Sequence, residues 1–516
     1  MPFREAPTFQ EESADPHRWA LAVTALLAAL AAFRLITLWL TPLELYPDEA
    51  QYWAWSRTLS WGYFSKPPMI AWLIAGSTAV GGDDEVWVRL PALICQTAAA
   101  GFLFLAGRRL WNARTGFWAA AIYALAPGVA LSSGVASTDA PLLMFLAAAL
   151  WAYALMLRGG GAAAAVGLGC ALGLAFLSKY AALYVLGALA LHAALSPEGR
   201  RAWTPARAVA GLAAFAVIVA PNLIWNALNG FETVAHTASN ANWNAGDLAN
   251  PGEALEFVAS QLGVFGPLAF PLFLIGAVGW LRRRTPSGGA RSAVLVLALT
   301  PLLLVTAQAF LSRANANWAA AFMPAAALVV AAAAQSWRRG QTILLVTAAV
   351  QFVVQVLMAA AVVSPAFASA VGLDNGFKRA RGWEVTARAV AARSAAAGPL
   401  TAVAVDSRLL FYELTYYGRD WLARPDAPPL TAWVREPSPQ NEAEASRPLT
   451  RASGGRVLAV SVTPDFRQEF AAAFARVSPP SEIRVPLDPR RTRDLSVWIG
   501  EDYRPGVVSD GRPTPP

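Results

Sequence analysis

The sequence predicts an all-α polytopic membrane bundle of about eleven transmembrane helices, followed by a small C-terminal α/β domain. Three observations carry this. Hydrophobic residues make up 56% of the 516 residues and charged residues only 14%, well below the roughly one quarter of a soluble domain. The apolar residues gather into runs near the ~20 residues that a helix needs to cross a bilayer core. The basic residues, which give a net charge of +8, sit in short clusters between those runs. That pattern reports membrane topology and not a nucleic-acid-binding face.

Taken in order, residues 1–18 read as a cytoplasmic tail. Apolar runs follow near 19–40, 86–107, 116–131, 140–157, 161–177, 180–195, 208–227, 257–281, 292–311, 316–335 and 342–362. The first has the length of a retained span and no small-residue cleavage site after it. The shorter run 67–80 reads as an interfacial or half-inserted helix. Arg108, Arg109 and Arg114, then Arg158, then Arg200, Arg201 and Arg207, then Arg282, Arg283, Arg284 and Arg291, then Arg338 and Arg339 all fall on one side if the spans alternate. The positive-inside rule puts that side in the cytoplasm. The loops 41–85 and 228–256 then face outward, within a transmembrane domain of residues 19–362.

Beyond residue 362 the apolar runs shorten. Helix-like sequence at 382–397, 408–417 and 464–476 alternates with strand-like runs at 400–405, 456–462, 482–486 and 494–499, so residues 363–503 read as an outward-facing α/β domain. The Pro/Gly-rich tail 504–516 reads as disordered. Cys95 and Cys170 lie in apolar runs and offer no disulfide framework. His17, His192 and His236 form no metal-ligand spacing, and no phosphate-binding loop, nucleophile elbow or zinc motif is present.

The chemistry is expected in the outward loops. Residues 41–66 place Glu44, Asp48 and Glu49 among Tyr46, Tyr52, Trp53, Trp55, Trp61 and Tyr63. Asp48, after Pro47, suits a general base toward an acceptor hydroxyl or amine; the competing readings are a solvated loop acid and the N-cap of a helix over 49–58. Lys66, before Pro67 and Pro68, suits a phosphate ligand or a headgroup anchor. Asp139, at the outward end of a span, is a functional candidate because a lone carboxylate against hydrocarbon is costly; the competing reading is an N-cap, with Thr138 or Asp139 opening the next helix. Lys179 and Arg313 are isolated cations on the side poor in positive charge. With Lys66 they would make a phosphate clamp, and singly they are headgroup anchors. Loop 228–256 carries Phe231, Glu232, His236, Asn240, Asn242, Trp243, Asn244 and Asp247, residue types common in sugar contacts and in loops alike.

The run YPDEAQYWAWSRTLSWGYFSKPPMIAWLI resembles the first outward loop of bacterial family-39 glycosyltransferases of the GT-C class, which includes protein O-mannosyltransferases and the aminoarabinose and galacturonic acid transferases of lipid A. STDAPLL, FLSKYAAL, PNLIWNALNGFETVAH and SRANANWAAAFMPAAA are similar to that family in the same order, so the resemblance spans about residues 19–362. It implies a GT-C-like bundle in the cell inner membrane, with its active site and C-terminal domain periplasmic. It also implies a polyprenyl-phosphate sugar donor and inverting transfer to a lipid, glycan or protein acceptor, among membrane lipids and with no nucleic acid. In that family's terms Asp48, with Glu49 beside it, is the general base or acceptor-positioning acid, and Asp139 the second-loop acid. Lys66 is the donor-phosphate lysine, with Lys179 and Arg313 as further phosphate ligands. Tyr52, Tyr63, His236 and Asn317 are the substrate-contacting set. The acidic metal residue of some aminoarabinose transferases is replaced by Ser65, which argues against a bound zinc and against aminoarabinose as the sugar. No cofactor is assigned, and a divalent metal stays an open option. The competing class is a secondary transporter or flippase of a lipid-linked precursor, but transporters set their acids near the bilayer midplane and these acids fall at span ends.

A topology reporter fused after residue 362 is expected to read as periplasmic, as an odd span count with cytoplasmic arginines requires. A cytoplasmic signal overturns that count.

Overall fold

The computed structural model describes residues 16–239, 249–282 and 289–505. Most of the expected N-terminal tail, the tail from 506, loop residues Asn240, Asn242, Trp243, Asn244 and Asp247, and Arg283 and Arg284 lie outside the described residues. The chain divides into two compact units. One comprises Met1–Leu40 and Lys66–Ala360, the other Thr41–Ser65 and Ala361–Pro516.

The first unit is helical. Among the described residues six helices are long and apolar enough to cross a membrane: His17–Leu40, Glu85–Leu110, Asp139–Leu157, Pro205–Leu228, Gly289–Leu311 and Gly340–Val363. Each coincides with an expected span. The single span expected at 257–281 is instead two helices, Pro251–Val264 and Ala269–Arg282, bent by 112°. Gly266 and Pro267 cause the break. Gly266 adopts φ 120°, which a side chain disfavours, and a Cβ there would meet Gln351 Nε2 at 2.5 Å. The Gln351 amide donates to the Phe265 carbonyl at 2.8 Å, satisfying a group that the bend frees. The run 116–131 is likewise two helices, Ala113–Leu125 and Pro127–Ser132. Pro127 forces Ala126 out of the helical region, to ψ 134°. The runs 161–177, 180–195 and 316–335 form helices of which none reaches the length of the long six: Ala162–Ser178, Ala182–Leu195 and Met323–Ala334.

Small residues let these helices approach closely, as association in lipid favours. A Cβ on Gly107 would lie 2.6 Å from the Gly116 Cα, and one on Gly169 would lie 2.1 Å from the Gly211 carbonyl oxygen.

The second unit holds a six-stranded mixed sheet. Its strands are β1 (Ala402–Val405), β2 (Leu430–Ala432), β3 (Arg456–Ser461), β4 (Phe474–Val477), β5 (Ser481–Asp488) and β6 (Arg491–Tyr503). The order is β2-β1-β3-β6-β4, with β5 also on β6. β1 runs parallel to β2 and β3, while β6 is antiparallel to β3, β4 and β5. The four expected strands are present. β2 and β4 are additions, and the helix expected over 464–476 is a 3-10 turn, a six-residue helix Arg467–Ala472 and then β4. Trp433, Phe470 and Trp498 fill one face, with ring centroids 4.7 and 5.3 Å apart.

Segment 41–65 is stitched into this second unit. The Glu44 amide donates to the Ala380 carbonyl at 3.1 Å, and the Glu44 carboxylate accepts from the amides of Trp383 and Glu384 at 2.5 and 3.0 Å. The Leu45 amide donates to the Tyr417 hydroxyl oxygen at 2.7 Å, and the Phe64 amide to Glu442 at 3.0 Å. Burial raises the Glu44 pKa above the ordinary carboxylate value, against these two amide bonds.

Gly169→Leu is expected to overpack the helix contact and lower stability by about 1–3 kcal/mol, seen as a lower Tm in detergent. Gly76→Ala, where an added Cβ meets nothing within 4 Å, should leave Tm unchanged.

Candidate functional site

The first unit draws three of the expected residues together. Asp139 opens the helix Asp139–Leu157 and Lys179 follows the end of Ala162–Ser178. The Lys179 ammonium lies 2.7 Å from Asp139 Oδ1. The other carboxylate oxygen accepts from Asn317 Nδ2 at 2.8 Å. Both charges suit their helix ends, the anion at an N-terminus and the cation at a C-terminus. Asp139 is only 8% exposed, so it needs this counter-charge. Its carboxylate does not cap the helix; the cap position is Thr138. The segment carrying Arg313 and Asn317 is held by Gln261, whose amide donates to the Ala316 carbonyl at 3.0 Å.

A second polar group, which sequence reasoning did not find, includes the next residue. Next to Lys179, the Tyr180 hydroxyl donates to Asn222 Oδ1 at 3.2 Å and accepts from Asn226 Nδ2 at 3.1 Å. Both asparagines are fully buried within the long apolar helix Pro205–Leu228. Their spacing of four residues, which sets two amides on one helix face, is the signal that could have found them.

The second unit holds the other candidates. The expected helix 49–58 runs from Pro47 to Ser56 with Tyr46 at the cap position. Asp48 is therefore not the cap. Its side chain is 62% exposed and pairs with Arg408 Nη1 at 3.0 Å. Glu49, the neighbouring acid, is fully buried, and its carboxylate accepts from the Tyr46 amide at 2.9 Å. This closes the start of the helix. Tyr52 and Tyr63 are 6% and 5% exposed. Both pack on Trp55, Tyr63 stacked at 4.6 Å and 7°, and the Tyr63 hydroxyl lies 3.0 Å from the Trp55 carbonyl. Burial pushes the Tyr63 phenol up to about 12. These rings build the loop.

Lys66 is half-buried and begins the Lys66–Ala360 part of the first unit. Arg313 is exposed in the segment after Gly289–Leu311, and His236 is half-buried in the helix Glu232–Ser239. Among the described residues, no three His, Cys, Asp or Glu side chains group closely enough to hold a metal ion.

Residues 65–225 match the family described as dolichyl-phosphate-mannose-protein mannosyltransferase. Over 391 residues the chain is 35% identical to the lipid A galacturonosyltransferase RgtD of Rhizobium johnstonii, covering 75% of this chain and 80% of that one. The chain belongs to this family of GT-C glycosyltransferases. Over 179 residues, 31% of this chain and 32% of the relative, it is also 31% identical to undecaprenyl phosphate-alpha-4-amino-4-deoxy-L-arabinose arabinosyl transferase 1 of Pseudomonas fluorescens. The GT-C enzyme shares its fold with ArnT of Cupriavidus metallidurans in the apo state, at a TM-score of 0.64 and 18% identity, over 93% of this chain and 98% of that one. The same relative bound to undecaprenyl phosphate matches equally well, at a TM-score of 0.64.

Asp139→Asn leaves the Lys179 ammonium uncompensated and is expected to cost roughly 1–3 kcal/mol, less than a fully buried pair. Adding Lys179→Met should recover part of the lost Tm. An unchanged Tm in the single variant removes the pair as a stabilising element.

Proposed function

We propose that this glycosyltransferase moves a sugar from a polyprenyl-phosphate donor to an acceptor at the periplasmic face of the inner membrane, inverting the anomeric carbon. The observation that carries the proposal is the exposed Asp48 carboxylate. It stands on a helix whose aromatic side chains are buried and whose other first-turn acid is tied into the cap. In this reading about eleven spans cross the bilayer, the arginine clusters face the cytoplasm, and segment 41–65 and the C-terminal α/β unit face the periplasm.

The step needs no nucleotide hydrolysis, because the donor's phosphate ester is already activated. An acceptor oxygen attacks the anomeric carbon. The bond from that carbon to the phosphate oxygen breaks, and the polyprenyl phosphate leaves with the electron pair. Asp48 takes the acceptor's proton, or orients an acceptor that has none to give. Lys66, with Arg313, holds the phosphate as negative charge grows on it. The Asp139–Lys179–Asn317 group is a second polar centre. In it the carboxylate holds the lysine and the asparagine in place, and Lys179 adds positive charge for the phosphate. His236 lies on the substrate side. The 35% identity to a lipid A galacturonosyltransferase over three quarters of this chain favours a uronic acid as the sugar and lipid A as the acceptor. Ser65 beside Lys66 points away from aminoarabinose.

Asp48→Asn is expected to lower transfer from a polyprenyl-phosphate sugar in membranes at least ~100-fold with normal insertion and expression. A wild-type rate in that variant sinks the assignment. Lys66→Ala should raise the donor KM more than it lowers kcat, and an unchanged donor dependence removes Lys66 from the phosphate site.

A further inference from the structure

We propose that Arg408, from the C-terminal α/β part of the second unit, is a positioning residue for Asp48. The inference rests on the reading of Asp48 as the acid that faces the acceptor. Arg408 is the first residue of the helix Arg408–Tyr417, directly after β1. Its backbone is fixed from both sides. The preceding Asp406 carboxylate accepts from the Ser461 hydroxyl at 2.6 Å and from the amides of Val462 and Thr463 at 3.0 and 3.1 Å, which ties the end of β1 to the end of β3. Ser407 Oγ accepts from the Leu409 amide at 3.3 Å.

From this anchored point, one guanidinium nitrogen, Nη1, donates both to Asp48 Oδ1 at 3.0 Å and to Gln51 Oε1. Asp48 and Gln51 are three residues apart, so they lie on one face of the helix Pro47–Ser56. The two helices also meet through Trp53 and Tyr416, edge to face at 4.9 Å. The carboxylate is therefore held in one orientation through Oδ1, and Oδ2 is the oxygen left for the acceptor. A contribution to stability does not account for this pair. The side chains are 34% and 62% exposed, and ion pairs that open contribute about 0–1 kcal/mol. Orientation is a different matter, since a misplacement of ~1 Å can cost ~100-fold in rate.

The test uses the full chain in detergent with undecaprenyl-phosphate-linked galacturonic acid as donor and lipid A as acceptor. Arg408→Gln is expected to lower kcat roughly 10–100-fold, with the donor KM within about twofold and Tm within about 2 °C. Arg408→Lys, which keeps the charge but not the reach and planar geometry of the guanidinium, should restore part of the rate. On the residual rate of Asp48→Asn, adding Arg408→Gln should change nothing more, because both act through one carboxylate. A wild-type kcat in Arg408→Gln while Asp48→Asn is impaired overturns this inference and leaves the reading of Asp48 standing. So does a further loss in the double variant, or a fall in Tm that accompanies the fall in kcat. A wild-type rate in Asp48→Asn, or a wild type inert toward this donor and acceptor, overturns the underlying reading and the inference with it.

Discussion

Ionised side chains bordering hydrocarbon must neutralise one another, and the first unit is arranged around that requirement. An unpaired carboxylate at the depth of Asp139 would cost several kcal/mol. The Lys179 ammonium removes that cost at 2.7 Å, and Asn317 occupies the second oxygen. The three residues come from the start of one helix, the end of another and a third, non-helical segment. Meeting the electrostatic demand therefore also fixes where these chain segments converge. Tyr180, Asn222 and Asn226 form a separate hydrogen-bonded group that buries two amides in an apolar helix.

In the second unit, two adjacent acids serve different ends because successive helical residues point about 100° apart. Glu49 turns inward and closes the helix start, while Asp48 turns outward to Arg408. The aromatics around them do for this helix what a domain core does elsewhere. Tyr52 and Tyr63 both pack on Trp55, and Trp53 packs on Tyr416. An exposed acid is thereby mounted on a backbone with little freedom to move.

The parts of this architecture that were legible in the sequence are those with a local signature. The six long helices could be read because a bilayer demands an uninterrupted apolar length, and β1 and β3 because buried strands leave short unbroken apolar runs. Interruptions were harder. Pro127 and the Gly266–Pro267 pair break runs whose hydropathy is continuous, so counting apolar residues fused what the backbone separates. β2 spans three residues, too few for any periodicity. Asp139 and Lys179 stood out as lone charges in apolar surroundings. Their pairing did not, since they are forty residues apart and only the packing of two helices joins them. Arg408 was invisible for the opposite reason. It is one of 41 basic residues, and nothing local marks the one that reaches Asp48. The burial of Glu49, Tyr52 and Tyr63 also follows from tertiary packing, which a list of polar and aromatic loop residues does not contain.

The second unit is built from two stretches of chain, Thr41–Ser65 and everything from Ala361 onward. That gives its assembly a timetable. The helix carrying Asp48 leaves the ribosome more than about 300 residues before the residues between Ala380 and Glu442 whose backbone and side chains hold its segment. At the usual ~5–20 residues per second, the gap is roughly 15–60 s. During that time Glu44, Leu45 and Phe64 lack their eventual hydrogen-bond partners and the aromatic face lacks its cover. The nascent loop spends this interval as an open, sticky strap, and a ribosome that stalls before Ala361 leaves it so.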